Sequence, residues 1–151
     1  MSDNPTLSEL IGSEPTREQV ISDCETLVDQ EVKAKSGMSG AAIKLGYKTV
    51  KAIKPGFIRA AIDGLLDDWL LELEQFHAAW RKTGGSFAEF VTVRSDEVAE
   101  AMLVVTDRRA EVSDVKTARK RSKKMRSSAK GNVVAAVPGL GALIERRLGA
   151  A

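Results

Sequence analysis

The sequence has few of the residues that usually mark a catalytic, metal or disulfide site. Its 151 residues include one cysteine, one histidine, one tyrosine and two tryptophans. The lone Cys24 excludes an internal disulfide and favours a reducing compartment. The single His77 argues against a nucleophilic triad and against a di-iron site built from two Glu-x-x-His pairs.

Long hydrophobic runs are also missing. The longest nearly apolar stretch, residues 133–144, has twelve residues with Pro-Gly in its middle, whereas a bilayer span needs about 20. The opening "MSDNPTLSEL" has neither the positive start nor the apolar run of a signal peptide. We therefore expect a cytoplasmic protein with no transmembrane segment.

The composition, with 43% hydrophobic and 29% charged residues, is that of a globular chain the size of one domain. Helix start and stop signals are dense, and no alternating strands with turns between them occur. The sequence predicts an all-α fold, a compact single-domain bundle of about seven helices. Residues 1–14 would form a short N-terminal helix or arm, and 15–151 the helical domain, including a basic helix over 114–130.

Local signals predict several helix boundaries. Asn4 is expected to cap a short first helix with Pro5 at its first position, and a longer helix should run from residue 15 to about 35. Ser86 and Glu89 have the spacing of a capping box. Pro138 is expected to start the last helix.

Residues 55–82 are predicted to hold the centre of the core, because their apolar positions keep a 3.6-residue period and include four aromatics. Gly64 and the pair Asp67-Asp68 suggest a break in this segment, with an aspartate capping its second half. The stretches "TVKAIKPGFIRAAI" (49–62) and "NVVAAVPGLGALI" (132–144) align on their Pro-Gly pairs. Either two helix corners use the same breaker residues, or a helical hairpin is duplicated.

Candidate catalytic motifs are weak. "GAAIKLGYKT" (40–49) has the wrong glycine spacing for a phosphate loop and no preceding strand, so its small residues are expected to let a helix approach a neighbour closely. Glu74 and His77 would share one helix face and support an enzyme with a carboxylate–histidine site, although a packing role for His77 is favoured. We expect a non-enzymatic protein without a cofactor or metal.

The strongest functional indication is the charge distribution. The stretch "KTARKRSKKMRSSAK", Lys116–Lys130, contains eight Lys or Arg and no acid, whereas the first 35 residues contain eight acids and three bases. We call residues 116–130 the basic segment. On a helix, Val115, Ala118, Ser122, Met125 and Ala129 form one narrow stripe. The predicted anion- or partner-binding residues fan across the remaining surface: Lys116, Arg119, Lys120, Lys123, Lys124, Arg126 and Lys130.

Three interpretations of the basic segment remain open. Acidic helices of the same chain, or of a second copy in a homo-oligomer, can neutralise it. It can bind nucleic-acid phosphates without sequence specificity, since it has no aromatic residue for base stacking. It can lie on an anionic membrane, although its apolar stripe lacks large residues to insert. The favoured function is macromolecular contact with an unknown protein or nucleic-acid partner.

The segments "KSGMSGAAIKLGYKTVKAIKPGF", "AMLVVTDRRAEV" and "VPGLGALIE" resemble a family of small actinobacterial helical proteins described as a domain of unknown function. The resemblance covers roughly residues 20–148. It implies an all-helical fold in a cytosolic bacterial protein, and it transfers no catalytic residue, cofactor or partner.

Overall fold

The computed structural model describes residues 4–111 and 116–150; the side chains of 39, 110, 111, 116–127 and 150 lie outside the description. Within the described residues the fold is all-helical, with seven helices and no strand, as predicted. The helices are α1 (Leu7–Ile11), α2 (Thr16–Ala34), α3 (Gly37–Ile53), α4 (Phe57–Thr83), α5 (Phe87–Thr92), α6 (Ser95–Glu111) and α7 (Lys116–Ala150).

The core is built around α4. Its buried apolar residues recur every three or four positions along one face: Ile62, Leu66, Leu70, Leu73 and Phe76. This spacing confirms the predicted position of the core, because a helix buries one stripe when its apolar residues keep the helical period. Helices α1, α2, α5, α6 and α7 all contribute buried side chains to the same cluster.

The break predicted inside α4 is wrong, since the helix is continuous through Gly64. The two aspartates that suggested a cap pair with arginines of other helices instead. Asp67 Oδ1 lies 2.7 Å from the Arg17 guanidinium of α2, and Asp68 Oδ2 lies 3.4 Å from the Arg109 guanidinium of α6. A carboxylate held by an arginine leaves its own backbone free to continue the helix.

The first helix starts later than predicted. Thr6, and not Asn4, is the N-cap of α1: its hydroxyl accepts from Glu9 N–H, while the Glu9 carboxylate accepts from Thr6 N–H. This reciprocal pair satisfies two donors that a helix start leaves free. Leu7 and Ile11 are completely buried, so α1 belongs to the common core.

The boundary predicted at Pro138 is also wrong, because Pro138 lies inside the 35-residue helix α7. The second half of α7 packs against α5 and antiparallel to α2, with Val137, Leu143 and Ile144 buried. The prediction for the small residues of α3 fails as well: Ala41, Ala42 and Gly46 are exposed, and only Gly40 is buried.

Candidate functional site

The basic segment lies on the first half of α7, which is helical from Lys116 onward. Residues 116–130 are thus helical, and the helix continues beyond the predicted end at 130. Residues 112–115, including the predicted start at 114, lie outside the described residues. The side chains of six predicted contact residues also lie outside the description: Lys116, Arg119, Lys120, Lys123, Lys124 and Arg126. Their role as a binding surface stays a prediction.

Lys130, the seventh predicted contact residue, pairs with acids of the same chain. Its Nζ lies 2.9 Å from Glu100 Oε1 and 3.1 Å from Asp96 Oδ1, both on α6. Hydrogen bonds to Glu100 and Asp96 raise the pKa of Lys130. This contact fixes the junction between the basic segment and the buried half of α7 against α6.

Three acids of α2 form ion pairs with arginines of other helices. Arg59 of α4 pairs with both Glu18 and Glu25. Near the end of α7, Arg147 Nε lies 2.7 Å from Asp23 Oδ2. Arg147 also donates to Gln19. The acidic helix that the sequence offered as a partner for the basic segment therefore has cationic partners on α4 and at the opposite end of α7.

His77 is a buried packing residue, as favoured from the sequence. Its ring is 1% exposed, stacks on Trp80 at 5.8 Å and meets Phe87 edge-on. Burial lowers the pKa of His77 below its usual range, and Glu74 partly opposes that shift. The ring is thus kept mainly neutral near neutral pH.

Glu74 connects this imidazole to the start of α1. Its Oε1 accepts from Leu7 N–H at 2.7 Å and lies 3.1 Å from His77 Nδ1. A carboxylate at a helix N-terminus compensates the free N–H groups and the positive end of the helix dipole. Glu74 therefore holds α1 on α4. Among the described residues, no three Asp, Glu, His or Cys side chains converge as a metal site.

An apolar cavity of about 320 Å³ lies between α2, α4 and α7. Its walls include Val28 of α2, Leu66 and Trp69 of α4, and Ala136 and Leu140 of α7, and α3 and α6 each add one side chain, Ile43 and Met102. The only charged or amide side chains in its lining are Glu31, Lys35 and Asn132. Glu74 and His77 do not line it.

Cys24 lines the same cavity. Burial, with a smaller contribution from Asp23, raises the pKa of the Cys24 thiol to about 12. A neutral thiol in an apolar wall behaves as a small hydrophobic side chain, as the sequence suggested.

The sequence did not reveal the cavity. Each wall residue fits the periodic apolar pattern of its own helix, so the pattern predicts a core position in every case. Of the small residues in the second half of α7, Ala136 lines the cavity, whereas Gly139 and Gly141 lie against Leu27 and α5. The number of small residues in this helix therefore gives no signal for the cavity.

These features define an all-helical domain with an apolar cavity and a basic segment on its last helix. The chain belongs to a family of unknown function, DUF6918, which matches residues 7–148. No curated protein and no solved structure matches the chain significantly. The predicted resemblance to a domain of unknown function is confirmed, and the actinobacterial origin stays a prediction. None of the helices in the described part of the chain has the length and apolar character needed to cross a bilayer.

Proposed function

We propose that the protein is a non-enzymatic cytoplasmic domain that binds an acidic macromolecular partner through its basic segment. The observation that carries this proposal is the charge segregation: eight bases and no acid in Lys116–Lys130, while the rest of the chain has an excess of acids. Like charges at i,i+4 cost about 0.2–0.5 kcal/mol per pair in a helix. An acidic partner would relieve that repulsion.

Two structural observations support the proposal. The basic segment continues into a helix half that is anchored by buried Val137 and Leu143, so its direction is set by the core. Three acids of α2 contact arginines outside the basic segment, Arg59 and Arg147: Glu18, Asp23 and Glu25.

The test is a triple charge reversal, Lys120→Glu, Lys123→Glu and Lys124→Glu, assayed by pull-down from the native cytoplasm. We expect every specific partner to be lost, because three reversals change the local charge by six units. The matched control reverses three exposed lysines, two in α3 and one directly after it, and should retain the partners: Lys44, Lys48 and Lys54. Unchanged partners in the basic-segment variant would reject the proposal.

Non-specific nucleic-acid binding is the alternative within the same surface. It predicts a gel shift at about 50 mM salt whose affinity falls with a slope of about 0.9 in log K per phosphate contact. Absence of a shift at low salt would eliminate it. A homo-oligomer through the same segment predicts instead that the mass measured by light scattering falls as salt is added, since salt screens exposed charges.

An enzyme built on Glu74 and His77 has less support. Glu74 Oε1 accepts from the Leu7 N–H of α1 and also contacts His77 Nδ1, so this carboxylate oxygen is engaged in holding two helices together.

A further inference from the structure

We propose that the apolar cavity between α2, α4 and α7 binds one fatty acid, a single saturated chain with a carboxylate head. This inference is independent of the basic segment. It starts from the lining of the cavity, which is partly open to solvent, since several of its apolar side chains, among them Val28, Met102 and Leu140, are only half-buried. A space of about 320 Å³ falls at the lower end of the size range of ligand sites, about 300–1,000 Å³.

The walls determine the class of ligand. They are formed by aliphatic side chains together with Trp69, Met102 and Cys24, and such surfaces cannot satisfy the polar groups of a sugar, nucleotide or peptide. A hydrocarbon chain needs no partner for hydrogen bonding. An apolar cavity of about 150 Å³ holds a benzene ring of six carbons, so the present cavity has room for roughly twelve carbons by the same ratio.

The polar residues of the lining lie at one end. Helices α2 and α7 are antiparallel, since Arg147 meets Asp23 and Gly139 lies against Leu27. Continuing along both helices brings Lys35 close to Asn132. The ammonium of Lys35 and the amide of Asn132 can donate to a carboxylate head, and the basic segment ends at Lys130, two residues before Asn132.

Glu31 lines the same end, and its negative charge reduces the attraction for a carboxylate. For this reason we expect the chain to provide most of the affinity and the head a smaller part. Burying a methylene contributes about 0.8 kcal/mol, roughly a fourfold change in affinity. Affinity should therefore rise roughly fourfold per methylene from octanoate to dodecanoate and level off for longer acids.

The fluorescence of Trp69 can report ligand binding in the cavity. Trp69 lines the cavity and donates from Nε1 to the Met102 carbonyl at 3.3 Å, whereas Trp80 lies outside the cavity and donates to Gly85. In a Trp80→Phe variant, Trp69 is the only tryptophan. Titration with dodecanoate below its micellar concentration should change its emission saturably, at one ligand per chain. No saturable change, or no dependence on chain length, would overturn the proposal.

Two matched pairs of variants locate the site. Ala136→Phe fills the cavity and should weaken dodecanoate binding roughly tenfold or more, while Ala135→Phe, on the exposed side of the same turn, should not. Lys35→Gln should weaken dodecanoate binding about threefold and leave dodecanol binding unchanged. The control Lys48→Gln, at an exposed position of α3, should leave the binding of both ligands unchanged. If Ala136→Phe and Ala135→Phe bind dodecanoate equally well, the cavity is not the binding site. If dodecanol binds more tightly than dodecanoate, the carboxylate is not recognised by Lys35 and Asn132.

A measurement on the unmodified protein covers the case in which Ala136→Phe fails to fold. Cys24 lines the cavity, so bound dodecanoate should slow its reaction with an uncharged disulfide reagent, in proportion to occupancy. Unchanged reactivity at saturating dodecanoate would also overturn the proposal.

Discussion

The dipeptide Pro-Gly occurs twice in this chain, and its two copies lie in different local structures. Pro55-Gly56 separates α3 from α4, and Gly56 adopts φ +84° in the left-handed region that favours glycine. Pro138-Gly139 lies inside α7, where the helix continues on both sides. The neighbouring residues are similar enough to align, so the dipeptide alone does not decide whether a helix ends.

Burial around each copy explains the difference. A proline inside a helix costs about 3 kcal/mol, and three buried apolar side chains next to Pro138 can offset it at about 1.5–3 kcal/mol each: Val137, Leu143 and Ile144. Pro138 itself is exposed, so water can reach the carbonyl that loses its N–H partner. Beside Pro55, Ile53 is 72% and Phe57 48% exposed, and a continuous helix there would gain little burial.

Only the first of the two aligned stretches, residues 49–62, forms a corner between helices. Residues 132–144 lie within one helix, so the two stretches do not form a duplicated hairpin. In α7, Gly139 lies against Leu27, and Gly141 lies against Ala88 and Val91 of α5. Close packing of α7 on two other helices is the feature that the first copy lacks.

The largest effect should come from breaking that close packing with Gly141→Leu. A β-carbon at residue 141 would lie 2.6 Å from Val91 Cγ2 and 3.0 Å from the backbone Cα of Ala88. We expect the free energy of unfolding in urea to fall by about 3 kcal/mol, because backbone cannot move aside easily. Gly131→Leu on the same helix, where nothing lies within 4 Å, is the control and should not destabilise. An equal loss in both variants would contradict this account.

Replacing each proline by alanine should have opposite effects. Pro138→Ala restores a backbone donor in a helix interior and should stabilise by about 1–2 kcal/mol, less than the full proline penalty because α7 has adapted to the ring. Pro55→Ala frees the chain between two helices in the unfolded state and should destabilise by about 0.4–1 kcal/mol. Chemical denaturation measures both. If both substitutions change the free energy of unfolding in the same direction, burial does not explain the difference between the two Pro-Gly pairs.

The two glycines should differ by a smaller amount. Gly56→Ala places a β-carbon in the left-handed region and should cost about 1–2 kcal/mol. At Gly139 the new β-carbon meets only Leu27 Cδ1, the far end of a side chain, and the gain of about 1 kcal/mol in helix propensity offsets the adjustment. Thermal unfolding of the two variants should therefore give a lower midpoint only for Gly56→Ala.

The helix after Pro55-Gly56 and the helix that contains Pro138-Gly139 should also respond differently to pH. In α4, burial lowers the pKa of His77, so the unfolded state binds the proton more tightly and stability falls as the pH drops below about 6.5. In α7, hydrogen bonds from Ser86 and the backbone of Ala88 lower the pKa of Glu145, so its contribution is lost only at lower pH, through its folded pKa.

Denaturation at pH 7, 5 and 3.5 in His77→Gln and Glu145→Gln separates the two contributions. Between pH 7 and 5, the free energy of unfolding should fall less in His77→Gln than in the wild type. Below pH 5, it should fall less in Glu145→Gln than in the wild type. Identical pH profiles for wild type and both variants would contradict the assigned protonation states.

Several features were predictable because they depend on residues close in sequence. The periodic face of α4, the Ser86 cap of α5 and the end of α3 before Pro55 follow from propensity and spacing over a few positions. The basic segment is also evident from the sequence, since it is a matter of composition. His77 as a packing residue follows from the absence of a second imidazole.

The remaining features depend on partners far away in the chain. Whether Asp67 caps a helix or pairs with Arg17 is decided by a residue 50 positions away. The cavity depends on the gap left where five helices meet, which no single helix encodes.

The sequence by itself determined that the chain is helical, where its main apolar face lies and how its charge is divided along its length. These properties arise from backbone preferences and side-chain types acting over one or two turns. The tertiary structure alone decided which Pro-Gly pair ends a helix, which arginine holds Glu18, Asp23 and Glu25 of α2, and where an apolar space stays open. Burial decides these points, and burial depends on which distant helix faces come into contact.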